Sequence, residues 1–349
     1  MSVKFLDCTI RDGSYAINFN YSCEEIKNII KGLDEAGVDF IEIGHGVGIG
    51  YWRKGFDFMP CSQEKQAIIA NKIIKKAKWG MFAIPGICQL NEIKKFADMG
   101  MKFIRIGFEP KKLTTAIPYI ETAKKTNMMV AVNFMKSYTE SPKKIASIAN
   151  EVWKYGVDYI YVVDSAGGML PEELKEYIYE IKNKNPNIKL GFHGHNNLGL
   201  AVFNSYLAIK EGVELIDVSI MGIGRGAGNT CFEQLIAVLI KAGYDIKVDL
   251  MKIMEISEKY ISKYMKLLYT TPLDVISGLA LFHSSYMPFI KEAAEKFKVD
   301  PKYLIMETSK MEKINVTREI VFKAAKRLKN LGKQGDWYSF YKNYYGLEQ

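Results

Sequence analysis

Among 349 residues only four are histidine and five are cysteine, and no low-complexity tract interrupts the chain. Each scarcity excludes a class of protein. No apolar run reaches the roughly 20 residues of a membrane span, so no membrane partner is expected. The opening Met1-Ser2-Val3-Lys4-Phe5-Leu6-Asp7 runs straight into a strand without a signal-peptide apolar region, which predicts a cytoplasmic protein. The cysteines Cys8, Cys23, Cys61, Cys88 and Cys231 are scattered, odd in number and never spaced Cys-x-x-Cys. Neither a disulfide framework nor a structural zinc site is expected, and the thiols are read as reduced. A concentrated basic arm and RNA-binding motifs are also missing. The net charge of +9 comes from dispersed lysines, as in Lys72-Ile73-Ile74-Lys75-Lys76, which argues against nucleic acid and suits attraction of anionic small molecules.

What is present is an ordinary globular composition, 48% hydrophobic and 25% charged, arranged in a repeating alternation. Short β-branched runs at Lys4 to Ile10, Phe40 to Gly44, Gly80 to Ile84, Phe103 to Phe108, Met129 to Phe134, Tyr159 to Asp164, Leu190 to His195 and Leu215 to Met221 read as strands. Amphipathic stretches lie between them, one opened by the capping box in Ser22-Cys23-Glu24-Glu25. Eight strand-helix units match an α/β fold of the (β/α)8 TIM-barrel type in number and length, a doubly wound open sheet being the main alternative. The expected division is a catalytic barrel over 1–243 and a C-terminal all-helical extension over 244–349, which would cover the barrel mouth or mediate association. Its expected helices are Met251 to Leu268, Leu273 to Lys296, Pro301 to Lys310 and Val316 to Leu331, and the aromatic tail from Trp337 to Tyr345 is expected to pack on the body.

Two of the four histidines stand in Gly191-Phe192-His193-Gly194-His195-Asn196, where residues i and i+2 of a strand share a face. Asp12 lies beyond the first strand in Asp7-Cys8-Thr9-Ile10-Arg11-Asp12-Gly13, and closure of a barrel through its eighth strand brings the first and seventh strands near one another. Asp12, His193 and His195 would then make a three-ligand divalent metal site with open positions for substrate, suited to Mg, Mn, Fe, Co or Zn. The always-charged fork of Arg11 could stabilise an enolate or hold a carboxylate, or close the barrel end as a salt bridge. Asn229, in Gly222-Ile223-Gly224-Arg225-Gly226-Ala227-Gly228-Asn229, could cap the next helix or join the metal shell. Ser165 is a candidate donor to substrate, or a helix cap or turn residue.

Thr9-Ile10-Arg11-Asp12-Gly13, His193-x-His195-Asn196 and the glycine-rich Gly222 to Asn229 loop, in this order, resemble the metal-dependent carbon-carbon lyases and synthases that include 3-hydroxy-3-methylglutaryl-CoA lyase, 2-isopropylmalate synthase and 4-hydroxy-2-oxovalerate aldolase. The resemblance implies Asp12, His193 and His195 as metal ligands, Asn229 at the metal shell and Arg11 as enolate stabiliser. Ala36-Gly37-Val38-Asp39, His45-Gly46, Pro85-Gly86-Ile87, Val162-Val163-Asp164-Ser165 and Ser284-Ser285 are most similar to the aldolases. This implies a pyruvate-type donor, an aldehyde, a divalent ion such as Mn or Mg, a homo-oligomer and an aldehyde dehydrogenase partner. His195-Asn196-Asn197-Leu198-Gly199-Leu200-Ala201 instead resembles the synthases, so an acyl-CoA-dependent Claisen-type synthase is the alternative, distinguishable by thiol release. One departure concerns acid-base chemistry. The aldolases place a general-base histidine where this chain has Tyr15, and a tyrosine where it has His283; the exchange suggests His283 as base with Tyr15 positioning or protonating, the other reading of His283 being a buried helix histidine.

Overall fold

The computed structural model describes residues 3–56, 59–265, 271–335 and 337. Eight parallel strands close into a barrel in chain order: β1 (Lys4–Asp7), β2 (Phe40–Glu42), β3 (Lys78–Ala83), β4 (Phe103–Phe108), β5 (Met129–Phe134), β6 (Tyr159–Asp164), β7 (Leu190–Gly194) and β8 (Leu215–Val218). Closure is made by β8 against β1, with Lys4 opposite Leu215 and Asp7 opposite Val218. The strands read as nearly continuous apolar runs because both faces are covered. Odd and even positions nevertheless have different neighbours. Ile104, Ile106, Ile160, Val162 and Ile216 join the large core under the helices, whereas Phe103, Tyr159, Tyr161 and Leu215 fill the barrel interior with Leu6 and Phe40. The same alternation sets Glu42, Arg105, Asn133, His193 and Asp217 on the inward rows, two residues beyond Phe40, Phe103, Ala131, Gly191 and Leu215.

The outer layer consists of α1 (Cys23–Ala36), α2 (Gln63–Ile73), α3 (Leu90–Asp98), α4 (Leu113–Lys124), α5 (Pro142–Trp153), α6 (Pro171–Lys184), α7 (Ala201–Lys210) and α8 (Phe232–Lys241). The Ser22 capping box is formed, the hydroxyl accepting the Glu25 N–H at 3.2 Å while the Glu25 carboxylate accepts the Ser22 N–H at 2.9 Å. Cys23 and Cys61 form a disulfide, with Cα atoms 4.9 Å apart, which corrects the expectation of wholly reduced thiols. Sequence spacing of 38 residues gave no hint of it, because the pairing depends on the start of α1 packing beside the turn into α2.

Beyond α8, the chain continues as α9 (Leu250–Ile256), a π-helical turn Ser257–Ile261 and α10 (Ser262–Met265) where one helix over 251–268 was expected; residues 266–268 lie outside the described residues. Ile253, Ile256 and Ile261 belong to the barrel's apolar core. A second core begins at Leu273 and is built by α11 (Pro272–Ala280), α12 (Met287–Phe297), α13 (Pro301–Met311) and α14 (Arg318–Asn330). The change of core thus falls after α10, whereas strand-helix alternation ends at α8. The single helix expected over 273–296 is broken. Leu281 takes φ +51° and ends α11, and a 3-10 turn at Ser284–Tyr286 precedes α12, so His283 sits in a bend between helices. Trp337 is buried in the second core; the rest of the aromatic tail lies outside the described residues.

Candidate active site

The loop after β1 turns immediately, because the Thr9 hydroxyl bonds the Asp7 carboxylate and the Asp12 N–H reaches the Cys8 carbonyl at 2.8 Å. This ends the strand at Asp7, three residues earlier than expected, and sets Arg11 and Asp12 over the barrel's open end. His193 lies in β7 and His195 just past it, in an isolated bridge to Asn229. The two rings are 5.0 Å apart and nearly perpendicular. One ligand atom each from Asp12, His193 and His195 falls within a 4.8 Å cluster, all three side chains being buried.

Both imidazoles are oriented for ligation by what their other nitrogen does. His193 Nδ1 lies 2.8 Å from the Asp217 carboxylate and His195 Nδ1 lies 3.2 Å from the Gly228 carbonyl, both acceptors. With the proton on Nδ1, each ring presents the Nε2 lone pair. The close packing of the Gly228 turn requires glycine: φ is +85°, and a Cβ would lie 2.1 Å from the Gly222 carbonyl oxygen. Burial lowers the His195 pKa to about 3, so this ring is neutral, as a ligand must be. Burial penalises the Asp12 carboxylate too, but the positive charge of Arg11, with that of Arg225, outweighs that cost and keeps it ionised. The donor set therefore fits a divalent cation.

Asn229 is not the cap of α8; Cys231 holds that position. Its amide donates to Asp12 at 2.8 Å and to the Ile223 carbonyl at 3.2 Å, while its Oδ1 is buried without a partner among the described residues. An orphaned acceptor beside Asp12 is what a group at the metal shell would leave in the absence of ligands.

Arg11 is held on three sides, its Nε donating to Glu42 at 2.7 Å and one terminal nitrogen to Asp12 at 2.8 Å and the Gly46 carbonyl at 3.4 Å. Glu42 also binds Arg105 at 2.8 Å, and Arg105 in turn pairs with Asp217, the carboxylate that orients His193. One fully buried arginine thus links the support of Arg11 to the support of His193. Sequence reasoning missed Arg105 and Asp217. The legible signal was a charged residue at an inward position of an apolar strand, in Phe103-Ile104-Arg105-Ile106 and Leu215-Ile216-Asp217-Val218.

These groups open onto a cavity of about 740 Å³ whose lining includes Arg11, Asp12, Tyr15, Ser165, His193, His195, Arg225 and His283. All seven residues singled out from sequence around the reacting centre, with His283 from the helical extension, therefore face one space, and Asn229 adjoins it through Asp12. The Tyr15 ring is packed so tightly on Gly46 that a Cβ there would lie 2.4 Å from a ring carbon. His283 Nδ1 accepts the Ser285 N–H at 3.1 Å and lies 2.7 Å from the Ser285 hydroxyl. Burial, then Arg225, Lys136 and His195, hold the His283 pKa well below 6.5. The Ser165 hydroxyl oxygen accepts the Lys136 N–H at 2.9 Å, leaving its own O–H free to donate toward the cavity. Lys136 and Arg225, also unforeseen, are buried charges at this wall.

Residues 2–259 match the model of the HMGL-like family. The chain belongs to the HMGL-like family. Relatives named 4-hydroxy-2-oxovalerate aldolase cover nearly all of it: that of Carboxydothermus hydrogenoformans is 33% identical over 333 residues, 95% of this chain and 99% of the relative. That of Pelotomaculum thermopropionicum is 34% identical over 323 residues, 93% of this chain and 95% of the relative. Among solved structures, the N-terminal domain of a Bacteroides vulgatus protein superposes with a TM-score of 0.64 at 26% identity, covering 79% of this chain and 92% of that one. The carboxyl transferase domain of Rhizobium etli pyruvate carboxylase gives 0.76 at 15% identity, over 94% of this chain and 62% of the other, a likeness of fold. The expected barrel and family are both borne out.

Proposed function

We propose that this chain is a divalent-metal-dependent aldolase joining a pyruvate-type enolate to an aldehyde and cleaving the resulting 4-hydroxy-2-oxo acid. The observation that carries the reading is the convergence of Asp12 with two imidazoles, each holding its Nδ1 proton on an acceptor, beside the Arg11 guanidinium at a roomy cavity. Near-full-length similarity to relatives named for this activity supports it. Asp12, His193 and His195 would hold the ion, Mn or Mg in this reading, with Co, Fe and Zn compatible with the ligand set, and Asn229 adjoining. Bound there, the ion would supply Lewis-acid polarisation of the 2-oxo acid.

The chain's own groups supply the rest. In condensation, C3 of the donor gives up a proton that passes to solvent, and Arg11 stabilises the charge gathering on the enolate oxygen. C3 then bonds to the aldehyde carbon, the carbonyl π pair moves to oxygen, and that oxygen takes up a proton. His283 serves this oxygen. The Ser285 amide favours the tautomer with hydrogen on Nε2 at rest; in condensation the alkoxide takes its proton from Nε2 of the doubly protonated ring, the form that removal of the hydroxyl proton in cleavage produces. The Ser285 hydroxyl can accept from Nδ1–H in the other tautomer, which frees Nε2 to remove the hydroxyl proton in cleavage. Tyr15 positions or protonates from the facing wall, and Ser165 donates to the donor acid.

The C-terminal helical part contributes His283, Ser285, Tyr286 and Phe289 to the cavity lining. We further propose a cytoplasmic homo-oligomer that works with an aldehyde dehydrogenase; Phe203 on α7 and Ile240 on α8, each about half exposed, supply apolar surface for association. No described helix is long and apolar enough to cross a membrane. The test is exchange of pyruvate C3 protons in heavy water with added divalent ions. Exchange that requires metal and disappears in His193→Ala and His195→Ala is expected, whereas metal-independent exchange, or none in the parent, refutes the reading.

A further inference from the structure

The cavity is much larger than a pyruvate and a two-carbon aldehyde need, and its volume of about 740 Å³ falls in the range of sites that enclose drug-sized ligands. Its charge is unbalanced as well. Among the described residues the lining carries Arg11, Lys54, Lys112, Lys136 and Arg225 against two carboxylates, Asp12 and Glu109. Asp12 is bound to Arg11, so the outer wall has Glu109 alone, shared between Lys136 at 3.0 Å and Lys112 at 2.9 Å.

Arg225 has no carboxylate within ion-pair distance among the described residues, although only 9% of its surface is exposed. Its guanidinium donates to His195 Nε2 at 3.2 Å and lies over the Tyr15 ring. A neutral imidazole nitrogen has one lone pair, so His195 Nε2 cannot serve both Arg225 and a cation. Loading the metal site therefore deprives this buried cation of its acceptor. On the same wall, Lys136 is held by Glu109 and by the Tyr286 hydroxyl at 2.8 Å, leaving its third N–H uncommitted among the described residues. Its backbone takes φ +55°, an unfavourable conformation for a lysine and one that marks a position fixed by its surroundings.

We infer that the aldehyde taken by this chain carries an oxyanionic group, a carboxylate or a phosphate, which Arg225 and Lys136 bind on the wall around His283. The inference rests on the aldolase reading and names the substrate class of the same site. A fork-shaped guanidinium and a buried ammonium supply charge-assisted hydrogen bonds to such a group, and a neutral aldehyde would leave both cations unanswered. The reaction itself is unchanged: C3 bonds to the aldehyde carbon, the π pair goes to its oxygen, and the proton lost from C3 is balanced by one gained there.

The test pairs aldehydes that differ in the oxyanion, succinic semialdehyde with butyraldehyde and glyceraldehyde 3-phosphate with glyceraldehyde, each condensed with pyruvate by the metal-loaded protein. At least one anionic member should exceed its neutral match by about 10-fold or more in kcat/KM, the pair that does so separating carboxylate from phosphate. Arg225→Gln and Lys136→Met should each reduce that ratio several-fold. Equal use of both members by a parent that exchanges pyruvate C3 protons overturns the inference and leaves the aldolase reading standing. If Arg225→Gln raises the pyruvate requirement for exchange with the aldehyde ratio unchanged, the arginine serves the donor acid and the inference fails. A parent without metal-dependent exchange removes the aldolase reading, and the inference with it.

Discussion

Replacing Arg105 by methionine tests the buried network at its centre. The guanidinium is fully buried and pairs with Glu42 and Asp217, so its removal strands negative charge where water cannot reach it. Glu42 would retain Arg11 and Asp217 would retain His193, which limits the damage without cancelling it. Breaking a buried pair by deleting one partner costs about 3–5 kcal/mol. With an unfolding entropy of roughly 2.1 cal/mol/K per residue, a chain of this length should lose about 4–7 °C in Tm. The stranded Asp217 carboxylate makes a sharper prediction. Asp217→Asn should destabilise the parent but recover stability in the Arg105→Met background, giving a coupling of about 1–3 kcal/mol in a double-mutant cycle read by calorimetry or denaturant unfolding. Since Asp217 orients His193, metal affinity in Asp217→Asn should fall by about 10- to 100-fold. A stability change below 1 kcal/mol, or strict additivity of the two substitutions, refutes the reasoning.

Arg11→Lys keeps the charge and loses the fork, so turnover should fall more than apparent pyruvate affinity; reduced stability with unchanged turnover per folded, metal-loaded protein would make the arginine structural. His283→Ala should depress aldol cleavage by about two to four orders of magnitude with metal still bound. Because burial and its cationic neighbours hold the His283 pKa well below 6.5, this group stays neutral near neutrality, and a pH-rate limb near 6.5 that vanishes in the variant would contradict the placement. His45, stacked between Phe19 and Tyr51, has a pKa lowered by burial to about 3. Stability from this neutral ring is present above an unfolded-state value near 6.5 and is lost as pH falls, by about 2 kcal/mol at pH 5; His45→Gln should flatten the slope of stability against pH, and an unchanged slope would refute the burial account. Thiol titration of the denatured, unreduced protein should find three free cysteines, rising to five on reduction, and five without reductant would exclude the Cys23–Cys61 bond.

The sequence by itself determined the barrel, because eight β-branched runs alternating with amphipathic stretches can bury both faces of their strands in few other ways. It also determined the candidate ligand cluster. His193 and His195 share a strand face by local geometry, and closure through β8 brings Asp12 beside them. Tertiary structure alone decided the rest, since each remaining feature joins residues far apart in the chain. Asn229 looked locally like a helix cap and became a neighbour of Asp12 because the helix begins two residues later than that reading requires. His283 reaches the cavity through the bend between α11 and α12, which breaks a stretch whose local pattern reads as one helix. The Cys23–Cys61 bond, the Arg105 bridge between Glu42 and Asp217, and the unmatched charge of Arg225 depend on contacts that local periodicity does not encode, because propensity and pattern report a residue's own element while charge balance depends on what packs against it.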